Sequence, residues 1–177
     1  MLTLKGNTIQ LRALEPEDVD AIYKWENDPT IWAESGTVAP YSRFVLNQYL
    51  SNAHLDLYTS KELRLLIDKF DQGMAKPIGC IDLFDFDPQH ARAGVGILIG
   101  DMNERKKGYA NEALKLLINY TFQVLHLHQL YCGVSVKNEG SLKLFKNNGF
   151  EVIGIKKHWL KSNDGWMDEY MLQLINS

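Results

Sequence analysis

The spacing of apolar positions along the chain switches between a period of two residues and a spacing of three to four residues. This switching predicts a mixed succession of strands and helices. Period-two alternation and short apolar runs predict strands, whereas apolar positions three and four residues apart predict helices. The predicted strands are residues 8–11, 63–67, 78–86, 93–99, 129–136, 150–155 and 166–174. The predicted helices are residues 15–27, 42–53, 108–125 and 138–148. Residues 30–41 are predicted to be a loop.

The order of these elements predicts the fold class. We expect a single α/β domain of the α+β type over residues 1–177, built on a central mixed sheet of about six to seven strands flanked by about four helices. Helix 108–125 is apolar around most of its circumference, so it is expected to pack against the sheet. Strand 93–99 is apolar throughout and is expected to be buried on both faces.

Composition excludes several classes of protein. The 177 residues are 45% hydrophobic and 23% charged, which excludes a disordered chain and a collagen-like fibre. A net charge of −3 argues against direct nucleic-acid binding. No apolar stretch approaches the ~20 residues of a membrane helix and no secretory signal is visible, so we expect a cytoplasmic protein without a membrane partner. Cys80 and Cys132 lie in apolar runs and are expected to be buried free thiols, and no metal-ligand spacing appears.

Charge is distributed unevenly along the chain. Residues 15–62 carry nine acidic and three basic side chains, a net charge of −6. Residues 101–161 carry ten basic and five acidic side chains, a net charge of +5. Two interpretations stay open: an anionic ligand on the later half with a cationic one near the early half, or unrelated solvated faces.

The turn between strand 93–99 and helix 108–125 has the chemistry of an anion site. The first N–H groups of a helix have no internal partners and lie at the positive end of its dipole. Gly108 allows a phosphate to approach the backbone, and the side chains of Arg105, Lys106 and Lys107 add positive charge. The P-loop and dinucleotide-binding glycine patterns are both absent.

This turn also carries a family resemblance. Residues 105–110, RKKGYA, match the [QR]-x-x-G-x-[GA] signature of the GNAT-type acyl-CoA N-acetyltransferases. Residues 96–99 resemble the splayed fourth strand of that family, and residues 138–150 resemble its N-x-x-S/A…G-F element. Residues 9–18 resemble the first strand and helix of the family, and residues 25–28 resemble the branch that includes ribosomal-protein N-terminal acetyltransferases. Residues 130–150 are similar to the spermidine and diamine acetyltransferases of that broad branch. The resemblance covers nearly the whole chain and implies the GNAT fold.

The resemblance implies an acetyl-CoA site and assigns residues to it. Backbone N–H groups of the turn would wrap the pyrophosphate, the backbone of Leu98 and Ile99 would pair with the pantetheine arm, and Asn138 would bond the pantetheine side. The residues implied for cofactor binding are Leu98, Ile99, Arg105, Lys106, Lys107, Gly108, Tyr109, Ala110, Asn138 and Lys146.

The implied reaction is direct attack of an amine on the acetyl-CoA thioester, with the backbone N–H near Leu98 polarising the carbonyl. Two departures concern the acid and the base. Gly94 stands where many relatives have a glutamate base, and Phe145 stands where many have a tyrosine acid. Ser141 is then a candidate general acid or simply a helix-capping residue. The carboxylates considered as replacement bases are Glu34, Asp82, Asp85 and Glu169.

The acceptor stays open between two classes of amine. Loss of the usual base favours an α-amine of pKa ~8, such as a peptide N-terminus, over an amine of pKa ~10.4. The acidic early half favours a polycation such as spermidine. A non-catalytic acyl-CoA sensor and an interaction domain that binds another anion are the alternatives to an enzyme. The resemblance also allows a homodimer, because the closing strands of such folds often pair across one.

Overall fold

A computed structural model describes residues 4–177, apart from the side chains of Ala33 and Glu34. The strands in this range are β1 (Ile9–Arg12), β2 (Leu63–Asp71), β3 (Met74–Asp87), β4 (Arg92–Ile99), β5 (Gln129–Ser135), β6 (Glu151–Ser162) and β7 (Gly165–Ile175). The helices are α1 (Val19–Glu26), α2 (Pro29–Ser35), α3 (Arg43–Ser51), α4 (Leu57–Ser60), α5 (Tyr109–Gln123) and α6 (Glu139–Asn147). Two short 3-10 turns cover Pro16–Asp18 and Met102–Glu104.

Within the described residues, the strands form one sheet in the order β1-β2-β3-β4-β5-β7-β6. Neighbouring strands are antiparallel except β4 and β5, which are parallel. The parallel pairing ends at Gly94 and Tyr131, so the two strands separate beyond that point. Residues 96–99 are consequently only half-buried, and the predicted burial of strand 93–99 on both faces is wrong for this part.

Alternating side chains of the central strands build a core on each face of the sheet. Ile67 of β2 and Ile81 of β3 pack with Leu114 of α5 in the main core. On the opposite face, Leu66 and Cys80 pack with the α1 side chain Trp25. The helices therefore cover both faces of the sheet.

The mixed sheet and the four predicted helices are confirmed, while two short helices were missed. Residues 30–41 were expected to form a loop, yet α2 occupies most of their first half. Asp28 caps this helix by accepting a hydrogen bond from the Thr30 amide at 2.9 Å, and Gly36 ends it with φ of +72°. Asp56 caps α4 in the same way, through the Thr59 amide. No helix in residues 4–177 has the length and apolarity needed to cross a membrane.

An ion-pair network fixes β1 to β2 and to the 3-10 turn that precedes α1. The Arg12 Nε atom lies 2.6 Å from an Asp68 oxygen, and its two Nη atoms lie 2.7 and 2.8 Å from the Asp18 carboxylate. Both carboxylates are buried. Burial opposes the ionisation of Asp18, but hydrogen bonds from Arg12 and from the Glu15 amide hold its pKa below the ordinary value.

Candidate active site

The separation of β4 from β5 opens a cleft of about 520 Å³ in the middle of the sheet. Gly96 and Ile97 of β4 form one wall and Gly133 of β5 forms the other. Helices α2 and α6 and strands β6 and β7 contribute further lining residues: Ser35, Asn138, Ser141, Phe145, Leu160, Met167 and Glu169. Leu98 and Ile99 lie beyond the last β4–β5 pair. The edge of β4 at these residues therefore has no neighbouring strand on the β5 side and can pair with an extended ligand.

The turn from β4 into α5 presents its backbone as an anion site. The backbone enters the left-handed region at Lys106, with φ of +61°, and again at Gly108, with φ of +91°. Gly108 is the N-cap residue and supplies no side chain to cap the helix. The first N–H groups of α5, at Tyr109 and Ala110, are therefore available to an anion, as the sequence predicted.

Two of the three basic side chains of this turn are engaged by the protein itself. Arg105 donates from Nε to the Ile99 carbonyl at 2.9 Å, and Lys107 pairs with a Glu104 oxygen at 3.0 Å. Glu104 is buried and also accepts from Lys69 of β2, and these two lysines lower its pKa. These contacts shape the turn, so the backbone N–H groups of Tyr109 and Ala110, rather than the side chains of Arg105 and Lys107, are the candidate hydrogen-bond donors to an anion.

The start of α6 lies on the other side of the cleft. The Asn138 side chain caps this helix by accepting from the Ser141 amide at 3.0 Å. Both residues line the cleft. Phe145, which also lines it, is buried against Phe150 with ring centroids 5.0 Å apart and offers no hydroxyl group. Lys146 is exposed near the end of α6. Among the residues implied for cofactor binding, Asn138 lines the cleft, whereas Leu98, Ile99, residues 105–110 and Lys146 do not, so their contacts with the cofactor stay a prediction.

A second cavity of about 650 Å³ adjoins the cleft and shares Ser35, Gly96 and Ile97 with it. Its ionisable lining includes three carboxylates and one guanidinium, a net charge of −2, contributed by Glu26, Glu62, Asp82 and Arg64. Two tyrosines, Tyr41 and Tyr49, also line it.

An ion-pair triad holds the charges of this second cavity in place. Arg64 donates from Nε and Nη2 to the two oxygens of Asp82, each at 2.9 Å, and from Nη1 to Glu26 at 3.0 Å. Burial opposes the positive charge, but the Asp82 carboxylate raises the pKa of Arg64 above its ordinary value. The sequence alone did not single out Arg64 or Glu26 as functional residues. The pairing of Arg64 with Asp82 becomes visible only through the register of β2 on β3.

The predicted base candidates differ in their surroundings. Asp82 has both oxygens engaged by Arg64. Asp85 lies outside the cleft and the second cavity. Glu34 falls in α2, and its side chain lies outside the described residues. Of the three candidates whose side chains the structure describes, Glu169 is the one that lines the cleft.

The two cysteines are poorly suited to a covalent route. Both are buried free thiols, as predicted. Burial, followed by the charge of Asp82, raises the pKa of Cys80 to about 12, and burial with the charge of Glu169 raises that of Cys132 to about 12. A thiol of that pKa is almost entirely protonated near neutral pH and is a weak nucleophile.

An aromatic ring closely approaches Gly94, the position at which the resemblance implies a glutamate in many relatives. A Cβ atom on Gly94 would lie 2.2 Å from the Phe84 ring, which is packed edge-to-face on Tyr131 with centroids 6.0 Å apart. Phe84 therefore fills the space that a side chain at position 94 would need.

We expect Gly94→Ala to destabilise the protein by about 1–3 kcal/mol, because the new methyl group overpacks this contact. The matched control is Gly96→Ala on the same strand, where the nearest Phe84 atom would be 3.9 Å from the Cβ, so little change is expected. Urea denaturation of both variants measures the difference. Equal stabilities would show that the Phe84 ring moves aside without cost.

Comparison with known proteins agrees with this geometry. The acetyltransferase (GNAT) domain profile matches residues 8–151. The spermidine N(1)-acetyltransferase of Escherichia coli K12 is 29% identical over 156 residues, 86% of this chain and 78% of that protein. An uncharacterized N-acetyltransferase, p20, of Bacillus licheniformis is 26% identical over 99% of this chain and 97% of its own. The spermidine N-acetyltransferase of Vibrio cholerae, solved in complex with CoA and spermine, has a TM-score of 0.85 at 23% identity, with 96% of each chain covered.

The solved structure shares the fold, and the profile spans most of the sheet together with the turn at residues 105–110. The fold expected from the resemblance is thereby confirmed, as is the enzyme class. The chain belongs to the GNAT family of acetyltransferases.

Proposed function

We propose that this enzyme transfers the acetyl group of acetyl-CoA to a primary amine of a polyamine, by direct attack within a ternary complex. The observation that carries the proposal is the second cavity, which has a net negative lining and shares a wall with the β4–β5 cleft. The relationship to spermidine acetyltransferases of E. coli and V. cholerae supports the same class of acceptor.

The residues of the cleft fit acetyl-CoA, which supplies an activated thioester. The backbone of the turn at Lys106–Ala110 would hold the pyrophosphate, and the open edge of β4 at Leu98 and Ile99 would pair with the pantetheine arm. The sheet register directs the Leu98 backbone toward Cys80 of β3, so the role that the resemblance implies for the Leu98 N–H does not fit. The N–H of Ile97, which faces the open side of β4 and lines the cleft, is our candidate for polarising the thioester carbonyl. Ser141, at the start of α6, is our candidate donor to the leaving sulfur. A thiol of pKa ~8.5 leaves without a strong acid, so the absence of a hydroxyl at Phe145 is tolerable.

The charge of the second cavity favours a polycation over a singly charged amine. An unpaired carboxylate near a surface attracts a unit charge about 4 Å away by about 1 kcal/mol in water, and by more where water is displaced. A polyamine places further ammonium groups near Glu26, Glu62 and Asp82 while one end reaches the cleft. A peptide N-terminus brings only one such charge from its reacting amine.

A panel of amines tests the proposed function through release of the CoA thiol. The panel holds spermidine, diamines, aminoglycosides, amino acids and short peptides with free N-termini. Turnover with polyamines supports the proposal, and turnover with peptides alone would replace the proposed acceptor with a protein N-terminus. Silence across the panel, with acetyl-CoA still raising Tm, would favour a non-catalytic sensor.

We expect Glu62→Gln to raise the KM for spermidine about 3- to 10-fold, because one exposed carboxylate of the second cavity loses its charge. The KM for acetyl-CoA should not change. Glu151→Gln is the matched control, since Glu151 is also exposed but lies outside both cavities. Steady-state kinetics at low salt provide the measurement, and equal KM values for spermidine in the two variants would contradict an acceptor role for this cavity.

We also propose a homo-oligomer that uses the closing strands. Strand β6 lies at the edge of the sheet and exposes apolar side chains, among them Val152, Ile153, Ile155 and Trp159. One V. cholerae spermidine N-acetyltransferase structure is dodecameric. Light scattering of the purified protein gives its mass in solution.

A further inference from the structure

We propose that Glu169 accepts the proton that the attacking amine loses, in place of the glutamate base that the resemblance implies for many relatives at the position of Gly94. This inference rests on the proposed function. Among the described residues that line the β4–β5 cleft, Glu169 is the single carboxylate. It lies on β7 opposite Ser135 of β5, which is the strand that separates from β4 to open the cleft. A base for this reaction must reach this region, because the thioester and the amine meet there.

The neighbouring residue on β5 leaves room for this carboxylate. A Cβ atom on Gly133 would lie 2.6 Å from both Cδ and Oε1 of Glu169. Any larger residue at position 133 would push the carboxylate away from its place at the cleft wall. Glycine at position 133 therefore allows the Glu169 carboxylate to occupy its place at the cleft wall.

A single contact orients the carboxylate. Lys156 of β6 donates to Oε2 at 2.9 Å, and the Glu169 side chain is 14% exposed. Lys156 is itself held by the Trp159 ring, with its Nζ 4.8 Å from the ring centroid. The lysine thus fixes the carboxylate through one oxygen.

The other described base candidates, Asp82 and Asp85, are less suited to the role, and Asp85 lies outside both cavities. Asp82 lies in the second cavity, and a bidentate interaction with Arg64 occupies both of its oxygens. Taking a proton there would disrupt the half-buried triad with Glu26. We assign Asp82 to binding of the acceptor, and the proton transfer to Glu169.

The step balances as follows. The bound ammonium gives one proton to the Glu169 carboxylate, directly or through a water molecule, and becomes a neutral amine. Its nitrogen forms a bond to the acetyl carbon and the carbon–sulfur bond breaks. The second nitrogen-bound proton goes to the leaving thiolate, and Glu169 returns its proton to solvent.

The test is Glu169→Gln, which keeps the shape of the side chain and removes its basicity. We expect kcat with spermidine to fall at least 100-fold near neutral pH, within the range typical of a lost general base. The rate of the variant should rise about tenfold per pH unit as the free amine forms in solution, so the gap narrows at alkaline pH. The Kd for CoA, measured by calorimetry, and the Tm should stay close to wild type.

Two further variants separate catalysis from structure. Lys156→Met breaks the same ion pair and loosens the orientation of the carboxylate but keeps its basicity, so its loss in kcat should be smaller than that of Glu169→Gln. Gly133→Ala should reduce kcat strongly without altering the carboxyl group, because its methyl group displaces Glu169. Equal losses in Lys156→Met and Glu169→Gln, or a wild-type rate in Glu169→Gln, would overturn the assignment. If the wild-type enzyme itself fails to acetylate any amine, the proposed function fails instead.

Discussion

Replacement of Gly108 by valine is expected to weaken CoA binding at least about 100-fold, or about 2.7 kcal/mol. Gly108 has a φ of +91°, which a β-branched residue adopts only at a cost of order 1–3 kcal/mol. A side chain there also stands where the backbone of the turn must approach a phosphate. Hydrogen bonds to a charged group contribute about 1.5–3 kcal/mol each, so the loss of even one adds to the strain.

Calorimetric titration with CoA measures this loss. Gly73→Val is the matched control, because Gly73 has a similar φ of +85° in the β2–β3 turn. At both glycines, a Cβ atom would have no described atom within 4 Å. The control should lose stability through strain and yet bind CoA normally. A Kd within threefold of wild type in Gly108→Val would contradict the assignment of this turn to the pyrophosphate.

Replacement of Arg12 by leucine is expected to destabilise the protein by about 3–5 kcal/mol, because it leaves two buried carboxylates without a positive partner. The side chains of Asp18 and Asp68 are only 7% and 2% exposed. One oxygen of Asp68 is buried without a partner even in the intact network. Urea denaturation measures the change. The matched control is Arg43→Leu, which breaks the exposed pair with Asp20 and should cost less than about 1 kcal/mol.

This prediction includes a dependence on pH. The pKa of Asp18 is lowered in the folded protein, so its ion pair stabilises the wild type above the ordinary carboxyl pKa. That contribution is lost as the pH falls through the lowered folded pKa. In Arg12→Leu, protonation instead removes the unpaired buried charges of the carboxylates. The difference in unfolding free energy between the wild type and the variant should therefore become smaller as the pH falls from 7 to 3. A difference that stays constant would show that Arg12 acts through packing alone.

The turn before α5 was predictable as a strand-to-helix connection because its signal is local, whereas its binding of an anion stays a prediction. Gly108, the basic residues before it and the start of α5 are consecutive, so the sequence alone places backbone N–H groups at the end of a strand. The side-chain roles were not predictable. The pairing of Arg105 with the Ile99 carbonyl and of Lys107 with Glu104 depends on how the turn folds back on itself.

The second cavity could not be predicted from any short segment of the sequence, because its charged residues come from distant parts of the chain. Arg64 meets Asp82 through the register of β2 on β3, and it meets Glu26 through the packing of α1 on the sheet. The match of Phe84 to Gly94 depends in the same way on the β3–β4 register. The caps of α2, by contrast, were present in the sequence as Asp28, Pro29 and Gly36, and could have predicted that helix.

The most direct test of polyamine acetylation compares kcat/KM for spermidine with that for butylamine. Both offer a primary amine of high pKa, but spermidine brings further positive charges to the lining of Glu26, Glu62 and Asp82. We predict a kcat/KM for spermidine at least about tenfold higher at low ionic strength, with a ratio that falls as salt screens the cavity. Equal values for the two amines, or a higher value for butylamine, would contradict the account.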